Sequence, residues 1–211
     1  MSGIKKKELE IKLEGIPSHP DPSPSLEQYT TPSYIAADIL FTAYGQGDIA
    51  GKVIGDLGCG TGVFALGSAY LGAERVEAVD LDPKAIDVAR DVAERWSFSE
   101  VINFEVKDVK EFKAEVDTVI MNPPFGSQKK GADLPFLEKS FECSEIIYTL
   151  HNAKTVEFLE DFIEDRGHRI FWEKRYMFEI ISQFDYHEKE RKDFEVVLFG
   201  INIEREKNVR Q

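Results

Sequence analysis

The chain predicts an α/β fold in which helices cover both faces of a doubly wound, mostly parallel sheet. Three observations carry this. Short strand-like runs alternate with amphipathic helical stretches from Pro32 onward. The run ending at Leu57 passes straight into closely spaced glycines, Gly58-Cys59-Gly60-Thr61-Gly62, and then into a helix of small residues. Residues 116–121 are apolar nearly throughout, as a parallel strand covered on both faces requires.

Taken in order, residues 1–25 read as an arm before the core. Met1 to Gly15 is polar and charged, and residues 15–25 carry Gly15, Pro17, Pro20, Pro22 and Pro24, which block helix and ladder hydrogen bonding and favour an extended path. The core domain spans 26–205, with a polar tail at 206–211. Pro32 opens a helix whose Ile35, Ala36, Ile39 and Leu40 share one face. Strands follow at 53–57, 75–80, 101–106 and 116–121, with an amphipathic helix through Ala85, Val88, Ala89, Val92 and Trp96 between the second and third. A helix at 134–143, a strand at 145–150 and a helix at 155–165 lead to two closing strands at 169–176 and 194–203. The acidic residues of the 155–165 helix form a solvated face rather than a site.

The 211 residues carry 26 Lys and Arg against 39 Asp and Glu, a net charge of −13. That balance excludes a protein that coats nucleic acid nonspecifically, because such affinity comes from counterions released by many basic side chains. No apolar run approaches the roughly 20 residues that span a bilayer, and two cysteines, Cys59 and Cys143, are too few for a disulfide framework or a zinc site. The sequence reads as a soluble, cytoplasmic protein with no metal site.

The glycine spacing decides the ligand. A dinucleotide fingerprint needs G-x-G-x-x-G, whereas Gly58, Gly60 and Gly62 spell G-x-G-x-G, with Val63 where the third glycine would stand. With Asp56 before it, the turn resembles the first motif of class I S-adenosylmethionine-dependent methyltransferases. The resemblance implies a Rossmann-like, seven-stranded sheet with an antiparallel closing strand, and S-adenosyl-L-methionine as cofactor. It places Asp56, Gly58, Gly60, Thr61, Gly62 and Val63 around that cofactor. Asp80, ending the second strand, falls where the family binds ribose hydroxyls. Asp108 and Val109 fall where it binds the adenine amino group and a ring nitrogen. Each aspartate alone reads as a strand-end turn residue; together they converge on the crevice where open sheets bind ligands.

Asn122-Pro123-Pro124-Phe125 follows the fourth strand. It resembles the motif of methyltransferases acting on planar amino nitrogens, whose lone pair is delocalised and weakly nucleophilic. Hydrogen bonds from the amino group to the Asn122 side-chain oxygen and the Pro123 carbonyl would return electron density to nitrogen, and Phe125 would stack on the planar target. Asn122 also borders the cofactor. His151 reads as a satisfied structural histidine, and Cys59 as packing.

Leu26-Glu27-Gln28-Tyr29-Thr30-Thr31-Pro32 narrows the target. By itself it starts a helix capped by a threonine. With the glycine turn, the Asn122 motif and the closing strands, it resembles the methyltransferase-like-five family of ribosomal RNA adenine-N6 methyltransferases along essentially the whole chain. That resemblance implies that Gln28 and Thr31 close over the cofactor and that Tyr29 lines the entrance. Lys129 and Lys130 sit in a basic loop after the motif, and His187 and Lys189 in a turn similar to an aromatic and basic element of that family but diluted by Glu188 and Glu190. Each alone reads equally as a solvated loop, and together they suggest substrate contacts that position RNA phosphates. The implied partners are small-subunit ribosomal RNA and a small zinc-binding activator protein. The alternatives are a protein glutamine N5-methyltransferase and a non-catalytic cofactor-binding scaffold.

Overall fold

A computed structural model describes residues 4–23, 27–126, 130–181 and 191–204. In chain order the helices are α1 (Lys6–Glu14), α2 (Ser33–Gln46), α3 (Val63–Tyr70), α4 (Pro83–Arg95), α5 (Leu134–Cys143) and α6 (Val156–Glu164). The strands are β1 (Val53–Leu57), β2 (Arg75–Asp80), β3 (Ile102–Val106), β4 (Thr118–Met121), β5 (Ile146–Asn152), β6 (Arg169–Ile181) and β7 (Arg191–Asn202).

The seven strands form one sheet in the order β3-β2-β1-β4-β5-β7-β6. The first five are parallel, and β7 runs antiparallel to both β5 and β6. Order reverses between β1 and β4, so the loops after β1, β2 and β4 open into one crevice at their carboxyl ends. Helices bury both faces. Leu9, Ile35, Leu40, Leu66 and Val92 belong to one apolar cluster. Leu137, Leu159, Ile163 and Phe199 belong to the other.

Local chemistry sets the helix boundaries. α2 follows Pro32 and stops at Gly47, whose φ of 86° is left-handed. α4 begins with Pro83 behind Asp82, whose carboxylate accepts the Lys84 N–H. α6 buries Val156, Leu159 and Ile163 along one stripe and leaves its acidic face in solvent.

Two features differ from the sequence reading. The polar start of the chain holds a helix, α1, fastened by Leu9 and Leu13 one turn apart and by Lys12, whose ammonium lies 4.2 Å from the Trp96 ring centroid. So few apolar anchors among lysines and glutamates hide the helical period. The closing strands are also longer than the predicted 169–176 and 194–203. β7 pairs with β5 only as far as Val196, but with β6 on to Arg191, so the β6–β7 hairpin runs past the end of the neighbouring strand. Beyond that point β7 pairs only with β6, and β7 opens on the polar run Arg191-Lys192-Asp193, which carries no strand signal. Among the described residues, no helix is long and apolar enough to cross a membrane.

Candidate active site

The glycine turn is built on left-handed backbone: φ is 76° at Gly58, 54° at Gly60 and 85° at Gly62. A Cβ on Gly58 would lie 2.9 Å from the Phe136 ring, whereas at Gly60 it would meet only open space. The turn is pinned to β2 from below. The N–H groups of Gly58 and Cys59 both donate to the Val79 carbonyl, at 2.8 and 2.9 Å. Asp80 accepts the Gly60 N–H through Oδ2 at 2.7 Å and the Asp82 N–H through Oδ1 at 2.9 Å. Burial pushes the Asp80 carboxyl above its ordinary range, and those two hydrogen bonds act against the rise.

Above the turn lies a cleft of about 390 Å³, within the roughly 300–1,000 Å³ usual for small-molecule sites. Gln28, Tyr29 and Thr31 form one wall, Gly58, Gly60, Thr61 and Val63 its floor, and Asp80, Asp108, Val109, Asn122 and Pro124 the remaining sides. Asp56 and Gly62 stand behind this wall. The Asp56 carboxyl accepts the Ala65 N–H at 2.8 Å and so clamps α3 to β1. Burial raises it to about 8 against that hydrogen bond, with the nearby Asp80 charge adding to the rise. Burial likewise pushes the Cys59 thiol up, so it is no nucleophile at neutral pH.

The target side has a different character. Asn122 Nδ2 donates to Thr31 Oγ1 at 3.0 Å, while Asn122 Oδ1 is buried and has no partner among the described residues. Pro123 is buried and Phe125 half-buried. The Phe125 ring packs edge-to-face against Phe178 of β6 and Phe194 of β7, with centroids 5.8 and 5.4 Å apart, rather than lining the cofactor cleft. His151 is fully satisfied, Nδ1 lying 3.0 Å from Asp133 and Nε2 2.9 Å from Thr149, which leaves it structural. Lys130 is exposed. Lys129, His187 and Lys189 lie outside the described residues.

The cleft also recruits residues that the sequence reading did not single out: His19, Leu81, Lys110 and Phe136. Leu81 is 55% exposed directly after Asp80, and that apolar residue in a polar turn was a readable signal. His19 and Phe136 carried none, since each reaches the cleft only through tertiary packing. Among the described residues, no group of His, Cys, Asp and Glu is arranged to hold a metal.

These donors and acceptors fit S-adenosyl-L-methionine. The glycine turn admits a ligand against its backbone, the carboxylates of Asp80 and Asp108 offer acceptors, and Leu81, Val109 and Phe136 give an apolar surface. Fold and site together define a class I methyltransferase that depends on S-adenosyl-L-methionine. A family profile described as ribosomal protein L11 methyltransferase (PrmA) matches residues 39–123, which carry the glycine turn and both aspartates. The chain is 33% identical to the rRNA N(6)-adenosine-methyltransferase Mettl5 of Drosophila melanogaster, over 96% of this chain and 99% of that protein. It is 39% identical to an uncharacterized protein of Methanocaldococcus jannaschii over 94% of each. The crystal structure of an RNA-methyltransferase candidate from Pyrococcus horikoshii superposes with a TM-score of 0.88 at 40% identity, covering 95% of this chain and 98% of that one. The chain belongs to the METTL5 family.

Proposed function

We propose that the chain methylates the exocyclic N6 of an adenosine in RNA, with small-subunit ribosomal RNA as its substrate. S-adenosyl-L-methionine supplies the methyl group when bound. Asp80 accepts hydrogen bonds from its ribose hydroxyls, Asp108 and the Val109 N–H hold its adenine, and Gln28 and Thr31 close the near wall.

The observation that carries the reading is the state of the Asn122 amide. Thr31 takes up the NH2 group, which turns the carbonyl oxygen into the available acceptor. A buried acceptor without a partner is costly. An amino group entering beside it relieves that cost by donating, which raises electron density on nitrogen as it attacks. The Pro123 carbonyl accepts the second hydrogen, and the part of Phe125 left uncovered by Phe178 and Phe194 stacks on the base. Alignment and hydrogen bonding supply the catalysis without a strong general base.

The full-length likeness to Mettl5 supports RNA over protein as the target; the L11 methyltransferase profile ends at Pro123 and so covers chiefly the cofactor half. Lys110, which lines the cleft, offers a phosphate contact, and the sequence alone suggests the same role for Lys129, Lys130, His187 and Lys189. A net charge of −13 calls for docking help, from the ribonucleoprotein substrate or a small zinc-binding activator. The test incubates the chain, alone and with such an activator, with small subunits and labelled S-adenosyl-L-methionine, then digests the RNA to nucleosides. Label in N6-methyladenosine is expected, and Asn122→Ala should lower kcat by about 10²–10³-fold. Label in protein glutamine instead, or cofactor binding with no transfer, would replace this reading.

A further inference from the structure

We infer that His19 is a positioning residue for the cofactor cleft, acting through Asp82 to fasten the proline-rich arm against the wall that carries Asp80 and Gln28. This inference rests on reading that cleft as the S-adenosyl-L-methionine site. His19 lies 63 positions before Asp82 in the chain, yet its side chain is only 6% exposed and borders the cleft.

The hydrogen bonds fix the tautomer. His19 Nδ1 accepts the Asp21 N–H at 3.0 Å, so the neutral ring carries its proton on Nε2. Nε2 lies 3.0 Å from Asp82 Oδ2 and donates to it. The same oxygen accepts Gln28 Nε2 at 2.8 Å, and the Gln28 carbonyl oxygen accepts the Ser23 N–H at 2.7 Å. Gln28 is thereby held in one amide orientation from both ends. A surface ion pair between Lys84 and Asp21, 2.6 Å apart, adds a second tie between arm and α4.

Asp82 is the hub. Its other oxygen caps α4 through the Lys84 N–H at 2.8 Å, and its own N–H holds Asp80 Oδ1 at 2.9 Å. Two of the groups expected to touch the cofactor, Gln28 and Asp80, are therefore oriented by the residue that His19 secures. Loss of the imidazole removes one of two donors on Asp82 Oδ2 and frees the arm from the cleft wall. Asn122 and the Phe125 cluster lie outside this network, so the effect falls on cofactor affinity and leaves the methyl-transfer step alone.

The test uses the full chain and S-adenosylhomocysteine as the calorimetric probe, with steady-state kinetics alongside. His19→Ala should raise the dissociation constant, and the KM for S-adenosyl-L-methionine, by about tenfold, with kcat at saturating cofactor and the KM for RNA unchanged. His19→Gln, which restores an N–H donor of similar reach, should recover most of that loss. His19→Leu keeps the bulk without the donor and should behave like His19→Ala. Wild-type affinity in His19→Ala, equal losses in His19→Gln and His19→Leu, or a kcat that falls with affinity would overturn the role given to His19. Failure of the wild-type chain to bind S-adenosylhomocysteine would instead overturn the reading of the cleft.

Discussion

The half of the sheet built from β1 to β4 and the half built from β5 to β7 solve different problems with different materials. The first is held by backbone: the turn after Leu57 hangs on the Val79 carbonyl, and Asp80 accepts two main-chain N–H groups. The second, itself joined by long backbone ladders, shapes its site with side chains: the Phe125 ring meets Phe178 and Phe194 on a hairpin that extends past β5. A site made of main-chain groups suits a ligand of fixed shape, and one made of aromatic packing suits a base that must be taken from a larger polymer. The contrast predicts that the two halves can be damaged separately.

The largest effect is expected on the aromatic side. Phe178 is 1% exposed and touches both other rings. Phe178→Ala should destabilise the fold by about 3–5 kcal/mol, read as a lower denaturant midpoint. Methyl transfer should fall, because Phe125 loses its buttress, while S-adenosylhomocysteine affinity measured on the folded protein stays within about twofold. If affinity falls in step with transfer, the halves are coupled and the contrast fails.

A smaller cost in stability, with the opposite signature, is expected from Gly58→Ala. The left-handed φ of 76° and a Cβ only 2.9 Å from the Phe136 ring together strain the turn by about 1–2 kcal/mol. Here cofactor affinity should fall steeply, while RNA binding measured by filter retention without cofactor is unaffected. Retained cofactor affinity would show that the turn tolerates a side chain and that the glycine serves only folding.

How much of this was legible in the sequence follows the same division. That Gly58, Gly60, Asp80 and Asp108 meet at one cleft was readable because each stands within a few residues of a strand end, where spacing and chemistry coincide. All seven strands were readable, the two closing ones only in part, since each runs beyond the stretch its pattern marks. Phe178 and Phe194 were not, because their role exists only once two antiparallel strands bring them to Phe125. Phe136 was hidden by its place in an ordinary amphipathic helix, and α1 by the scarcity of its apolar anchors. The sequence reading set Asp56 beside the ligand; the fold sets it beneath the turn, clamping α3, a distinction that a motif cannot express.

That placement makes Asp56 the subtlest probe of the backbone-built half. Its carboxyl ionises near 3.8 when unfolded and is raised to about 8 when folded, chiefly by burial. Between those values the folded protein holds a proton that the unfolded chain has released, so its contribution to stability is full below about pH 4 and declines as pH rises towards 8. Replacing it by the uncharged isostere in Asp56→Asn should flatten that decline. Denaturant midpoints at pH 5 and pH 8 measure it, with the wild type losing more than the variant between the two. Parallel slopes would mean that Asp56 is ionised throughout the range and that its burial does not hold the proton.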